Sequence, residues 1–254
     1  MREKLNIQPL SIAKAKFIKS LAHTKYRKKH QSFFVEGRKM VLEAIQNKKL
    51  SKQFIVILED HKFNFPKDLN IPIYQASSQE FKKLSGQVNP DGILLVLDLF
   101  DFENQAIQGS NLLYVDIVSD PGNLGNIIRT ANFLGFNEIL LPSISVDPFN
   151  PKVCQASMGS IFDIKLHLLN DPIQTLKDLK SKNYILKGFD LNGKNLKEFV
   201  NHPKQVLIFG NESHGLSIEV LNLLDQKYTI LNRGTAESLN LGNSIAIGLY
   251  QSTL

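Results

Sequence analysis

A chain of 254 residues with 43% hydrophobic residues can bury one large core or two modest ones. Its one cysteine, Cys154, excludes an internal disulfide framework and a cysteine-based zinc site, so no metal and a reducing, cytoplasmic setting are the expectation. The net charge of +6 is unevenly spread, because residues 1–50 carry 13 Lys and Arg against 3 Asp and Glu, a surplus of 10 that leaves −4 for the rest. No apolar stretch approaches the ~20 residues needed to span a bilayer, and the start, MREKLNIQPL, lacks the apolar core of a secretory signal. No membrane partner is expected.

Taken in order, residues 11–21 have helical spacing, with Ile12, Ala15, Ile18 and Leu21 on one side, and residues 23–31 form a basic loop or short helix. Across this region Lys14, Lys16, Lys19, Lys25, Arg27, Lys28 and Lys29 mix with Phe17, His23 and Tyr26. A groove lined this way suits a phosphate backbone, with rings available to unpaired bases. The plainer reading is a solvated helix face, against which stands the near absence of acids. A strand is expected at 33–35 and a helix at 36–45, with Met40, Val41, Ala44 and Ile45 inward. Strands follow at 54–58, 71–74 and 92–99, and Ser77 with Glu80 makes a capping box for a helix through Leu84. Together these describe a small α/β/α domain over residues 1–99. Residues 100–110, FDFENQAIQGS, lack periodicity and read as a linker.

From residue 111 the alternation resumes as a second α/β domain running to 254. Strands are expected at 112–118, 138–141, 165–168, 184–189, 206–209 and 228–231. Helices are expected at 123–133, 152–161, 172–182, 216–224 and after Ser238. Three strand-to-helix turns carry chemistry. In residues 116–135, DIVSDPGNLGNIIRTANFLG, Asn123 reads as a helix cap and Gly125 permits close approach of backbone or ligand. Arg129 stands one turn on, placed to hold a phosphate or carboxylate, although an arginine there is also an ordinary surface residue. In residues 206–216, VLIFGNESHGL, the spacing is not that of a phosphate-loop or dinucleotide fingerprint. Glu212 could accept from a ribose, pair with Arg129, or simply suit a helix start. In residues 228–250, YTILNRGTAESLNLGNSIAIGLY, Ser238 is a good N-cap, and Ser238 and Asn240 bring a hydroxyl and an amide to the loop-to-helix turn.

The patterns Asn123-x-Gly125-x-x-x-Arg129-Thr130-Ala131, Phe209-Gly210-Asn211-Glu212-x-x-Gly215-Leu216 and Glu237-Ser238-Leu239-Asn240-Leu241 resemble the three motifs of the SpoU/TrmH RNA ribose methyltransferases of the SPOUT superfamily. The run from Ile12 through Lys25, Arg27 and Lys28 to Phe34-Val35-Glu36-Gly37 is similar to the ribosomal-protein-like RNA-binding domain that many of them carry in front. The resemblance implies a Rossmann-like parallel sheet with a deep trefoil knot, S-adenosylmethionine as cofactor, and a homodimer. It implies a cofactor site at Phe209, Gly210, Asn211, Ile230, Leu231, Ser238 and Leu239. Asn123, Arg129, Glu212, Ser238 and Asn240 match the family's catalytic positions. Arg129 is expected to serve substrate phosphate and proton removal, Asn123 and Glu212 the geometry, and Ser238 and Asn240 the orientation of the reacting groups. Lys14, Lys25, Arg27, Lys28, Lys29 and Arg38 are expected to bind RNA. The chain departs from the pattern at Ile230-Leu231-Asn232, where the family shows Ile-Pro-Met, and at Gly242, where it shows Ser. The activity implied is 2′-O-methylation of structured RNA, 23S ribosomal RNA foremost; transfer RNA as substrate and a non-catalytic RNA-binding role are the alternatives.

Overall fold

A computed structural model describes residues 6–60, 63–66, 69–99, 106–211 and 214–254. In chain order the front part forms β1 (Ile7–Pro9), α1 (Ile12–Ser20), α2 (Thr24–His30), β2 (Ser32–Glu36), α3 (Arg38–Gln46), β3 (Lys52–Leu58), β4 (Ile73–Ala76), α4 (Ser78–Leu84) and β5 (Ile93–Asp98). The rest forms β6 (Asn111–Val115), α5 (Pro121–Phe133), β7 (Glu138–Pro142), α6 (Pro151–Ser157), β8 (Lys165–Leu169), α7 (Pro172–Ser181), β9 (Ile185–Asn195), β10 (Gln205–Phe209), α8 (Ile218–Leu221), β11 (Gln226–Thr229) and α9 (Leu241–Gln251). These elements sort into two compact units, Met1–Phe100 with Asp147–Phe162, and Asp101–Val146 with Asp163–Leu254.

The first unit is built on a mixed sheet of order β1-β4-β3-β5-β2, in which β1, β4 and β3 run parallel and β5 is antiparallel to both β3 and β2. One face buries Phe54, Val56, Leu94 and Val96 against Ile18 and Leu21 from the α1 side and Phe81 and Leu84 of α4. Both helices start where side chains cap them. Ser11 accepts from the Lys14 N–H, and Ser77 and Glu80 close the expected capping box.

Two expectations are corrected here. The helix expected at 152–161 in the second domain is shorter, ends at Ser157 and belongs to the first unit, where α6 packs beside β2 and the Phe149 ring lies 4.7 Å from that of Phe33. Arg27, expected on an RNA-binding surface, is only 1% exposed. Its Nε and Nη2 donate to the Asp147 carboxylate at 3.0 and 2.6 Å, its Nη1 to the carbonyls of Leu21 and Ala22 at 2.8 and 3.0 Å, and Nη2 also to the Thr24 hydroxyl at 2.8 Å. A guanidinium leaves water only when its donors are met, and the planar fork meets five acceptor contacts here.

The second unit carries a six-stranded, all-parallel sheet of order β11-β9-β10-β6-β7-β8. Its strands read as apolar runs because helices cover both faces. The chain winds outward from β6 to β8 and then returns to the other side of β6, which makes the gap between β6 and β10 a topological switch point. Leu112, Tyr114, Leu140, Leu186, Val206 and Ile208 of the sheet pack with Leu176, Leu179, Leu216 and Val220 in one core. The strand expected to stop at 189 runs on to Asn195, and the helix expected at 216–224 is the single turn α8.

Replacing Asp147 with Ala leaves the Arg27 guanidinium buried beside an empty partner position. Loss of one member of a buried pair costs about 3–5 kcal/mol, and the three remaining acceptors place the expected loss near the lower end. Chemical denaturation of the two proteins measures it; an unchanged midpoint would show that the pair does not hold α2.

Candidate active site

The carboxyl ends of β9, β10 and β11 open onto a cleft of about 700 Å³. Its wall includes Phe209, Gly210, Asn211, Ile230, Leu231, Ser238 and Leu239, so all seven residues expected to hold the cofactor face one cavity. The Phe209 ring stacks on that of Phe189 with centroids 4.2 Å apart, forming an apolar floor. Leu231 and Leu239 stand 49% and 47% exposed at the wall, apolar surface available to a ligand face. Gly210 is required by the turn. A Cβ there would lie 2.2 Å from the Gly215 carbonyl carbon, and Asn211 and Gly215 exchange backbone hydrogen bonds of 2.9 Å that pinch the loop shut. The Asn211 amide also donates to the Ile117 carbonyl at 2.7 Å, tying the loop after β10 to the one after β6. An adenosine-sized group with a polar tail fits this lining of rings, leucines and backbone.

The starts of α5 and α9 meet at the switch point. Asn240 Nδ2 donates to Asn123 Oδ1 at 3.3 Å across 117 positions of sequence. The same Asn240 caps α9, accepting from the Gly242 N–H at 2.9 Å, so the cap lies two residues after the Ser238 expected to fill that role. Asp120, rather than Asn123, caps α5, accepting from the Asn123 N–H at 2.8 Å. Arg129 is exposed on α5, three residues past Asn126, whose Nδ2 would lie 2.8 Å from a Cβ on Gly242. Arg129 therefore follows the face on which α9 begins. Glu212 lies outside the described residues.

The departure at Asn232 has a structural counterpart. Its side chain accepts from the Gly234 N–H at 2.8 Å and donates to the Ala236 carbonyl at 2.5 Å, so an asparagine braces the loop that a proline would stiffen. Sequence reasoning missed Asp190, Leu191 and Asn192, which line the cleft from the far end of β9. It also missed Asp116 at the end of β6, where the Tyr114 hydroxyl donates to it at 3.1 Å. Burial raises the Asp116 carboxyl above the usual carboxylate range, and the hydrogen bond from Tyr114 only partly offsets this.

In the first unit, Lys25, Lys28 and Lys29 are exposed on α2. Lys14 is half-buried, its Nζ 4.7 Å from the ring centroids of both Phe54 and Tyr74. Arg38 is exposed at the start of α3, its guanidinium 5.9 Å from the Phe63 ring centroid. Among the described residues no group of three or more His, Cys, Asp or Glu could hold a metal, and no helix is long and apolar enough to cross a membrane.

A parallel sheet with a cleft at the carboxyl ends of β9, β10 and β11, walled by glycine- and asparagine-marked turns, defines a class of nucleotide-cofactor enzymes, and comparison gives the family. Residues 110–250 match the SpoU rRNA Methylase family and residues 13–95 the MRM3-like substrate binding domain. The chain belongs to the SpoU rRNA methylase family. It is 32% identical over 240 residues to the 23S rRNA (guanosine(2553)-2′-O)-methyltransferase RlmP of Bacillus subtilis, covering 93% of this chain and 94% of that one. A TrmH-family structure from Porphyromonas gingivalis superposes with a TM-score of 0.84 at 31% identity, over 96% of this chain and 98% of that one. The AdoMet-bound rRNA methyltransferase of Sinorhizobium meliloti gives 0.81 at 25% identity, over 97% of each chain.

Two outcomes are expected. Asn240→Ala removes a cap and the link to Asn123, so the first turn of α9 loses about 1 kcal/mol, read as faster amide exchange there. For Asp116 the folded pKa is raised, so the folded state holds more protons between the ordinary and the raised value, and stability falls as pH rises through that window. Asp116→Asn removes this decline, and an unchanged pH profile of unfolding would contradict the assignment.

Proposed function

We propose that this protein is an S-adenosylmethionine-dependent methyltransferase acting on a ribose 2′-hydroxyl of structured RNA, with 23S ribosomal RNA as substrate. The observation that carries this reading is the convergence of all three motif turns on one end of the parallel sheet, with Asn240 bonded to Asn123 and Ser238 on the cofactor cleft. RlmP of Bacillus subtilis, similar along nearly its whole length, acts on 23S rRNA, which supports ribosomal over transfer RNA.

Bound in the cleft, S-adenosylmethionine supplies an electrophilic sulfonium methyl. The chain must then deliver the ribose oxygen in line and accept its proton as the new O–C bond forms and the methyl–sulfur bond breaks, S-adenosylhomocysteine being the leaving group. Phe209, Gly210, Asn211, Ile230, Leu231 and Leu239 hold the cofactor through backbone and apolar contact. Ser238 and Asn240 orient the reacting groups, and Asn123 and Glu212 keep the geometry. Arg129 anchors the phosphate beside the target ribose and assists proton removal. A guanidinium, with a pKa above ~12, gives up a proton at neutral pH only where its surroundings disfavour the charge, so anchoring is the larger part of its work.

The protein works as a homodimer in the cytoplasm. Phe133 of α5 and Ile247 and Tyr250 of α9 are 86%, 40% and 57% exposed, an apolar display that a second copy would cover. The trefoil knot belongs to this proposal, placed in the segment that returns through β10 and β11 to α9.

Arg129→Ala is expected to lower methyl transfer by at least about 100-fold, the scale on which positioned proton-transfer groups contribute, while S-adenosylmethionine binding by calorimetry stays intact. Undiminished transfer would remove Arg129 from the site. Gly210→Ala, by contrast, is expected to abolish cofactor binding, because the added methyl group collides with backbone.

A further inference from the structure

Helix α2 is held in an unusual way. Its buried residue is Arg27, and every other position, Thr24, Lys25, Tyr26, Lys28, Lys29 and His30, faces solvent. No apolar stripe fixes it; an ion pair and two backbone carbonyls do. Such an arrangement contributes little core and orients a full set of outward side chains.

Those side chains are not a uniform basic face. The rings of Tyr26 and His30, one helical turn apart, lie within 15° of parallel with centroids 6.3 Å apart, and Tyr26 is 38% exposed. The His30 ring rests edge-on against Phe17 at 5.2 Å, and Phe17 leans on Phe54 at 6.3 Å. Phe54 in turn meets Tyr74 at 5.6 Å, with the Lys14 ammonium over both. The exposed pair therefore belongs to a continuous row of rings anchored in the β3–β4 sheet, with the His23 ring edge-on to Tyr26 at 6.4 Å beyond it. Lys25, Lys28 and Lys29 are exposed on the same helix, and neither α1 nor α2 contains an acid.

Resting on the RNA-methylating reading, we propose that Tyr26 and His30 form a stacking platform for an unpaired nucleobase of the substrate RNA, with Lys25, Lys28 and Lys29 holding the flanking phosphates. A duplex hides its base faces, whereas a loop or bulge offers them, so the platform selects single-stranded segments. A purely electrostatic face would bind duplex and single strand alike and would not depend on the rings.

The test uses the full-length protein and a 12-nucleotide oligoribonucleotide containing 2-aminopurine, alone and annealed to its complement. Wild type is expected to quench the single strand's fluorescence and bind it more tightly than the duplex. Stacking of one base is worth a factor of about 5–150 in affinity, so Tyr26→Ala is expected to weaken single-strand binding on that scale and leave duplex binding within about twofold. Tyr26→Phe keeps the ring and is expected to bind as wild type. Equal binding of both strands by wild type, an unaffected Tyr26→Ala, or a loss shared equally by single strand and duplex would each overturn the platform. Methyl transfer by wild type, measured separately, distinguishes failure of the platform from failure of the enzymatic reading.

Discussion

The close approach of the α9 start to the α5 start is the constraint on which the candidate site depends. It is eased by glycine at position 242, where a Cβ would meet the movable end of the Asn126 side chain at 2.8 Å and Asn240 Oδ1 at 3.2 Å. It needs Asn240, whose oxygen starts the helix while its amide reaches Asn123. One such hydrogen bond contributes only about 0.5–1.5 kcal/mol, so its value is positional. It sets where Ser238 and Leu239 fall on the cleft wall opposite the pinched loop of Gly210 and Gly215. The family's Ser at position 242 would place its Cβ against the end of a flexible amide, a contact relieved by turning Asn126 aside.

In the first unit the corresponding constraint is electrostatic. Arg27 and Asp147 stand 120 positions apart and join α2 to a segment that the chain supplies only after it has begun the second unit. Buried pairs of this kind add little net stability relative to an apolar substitute, but they accept only one partner geometry. All the outward positions of α2 are left exposed, so a single inward charge fixes its orientation, as the proposed platform requires.

Much of this was legible in the sequence. Alternating apolar runs gave both α/β units and nearly every strand, because a strand buried on both faces has few alternatives. That seven residues of two motif turns would line one cavity was legible too. Caps were harder: Asp120 and Asn123, like Ser238 and Asn240, are equally good capping residues a few positions apart, and only the path of the incoming chain decides between them. β1 escaped notice because its three residues are all exposed and gain their structure from pairing with β4. Arg27 looked like one more cation in a basic run, since its burial is decided by a carboxylate far along the chain. The assignment of residues 147–162 failed for the same reason: local pattern identifies a helix and says nothing of which core it joins.

The central claim is methyl transfer to a ribose of ribosomal RNA. The most direct measurement incubates the protein with methyl-labelled S-adenosylmethionine and either unmodified 23S ribosomal RNA or transfer RNA, then digests with alkali. A 2′-O-methyl group blocks cleavage at its own nucleotide, so the account requires label in alkali-resistant dinucleotides from the ribosomal pool. Label confined to transfer RNA, or label released wholly as mononucleotides, would contradict it.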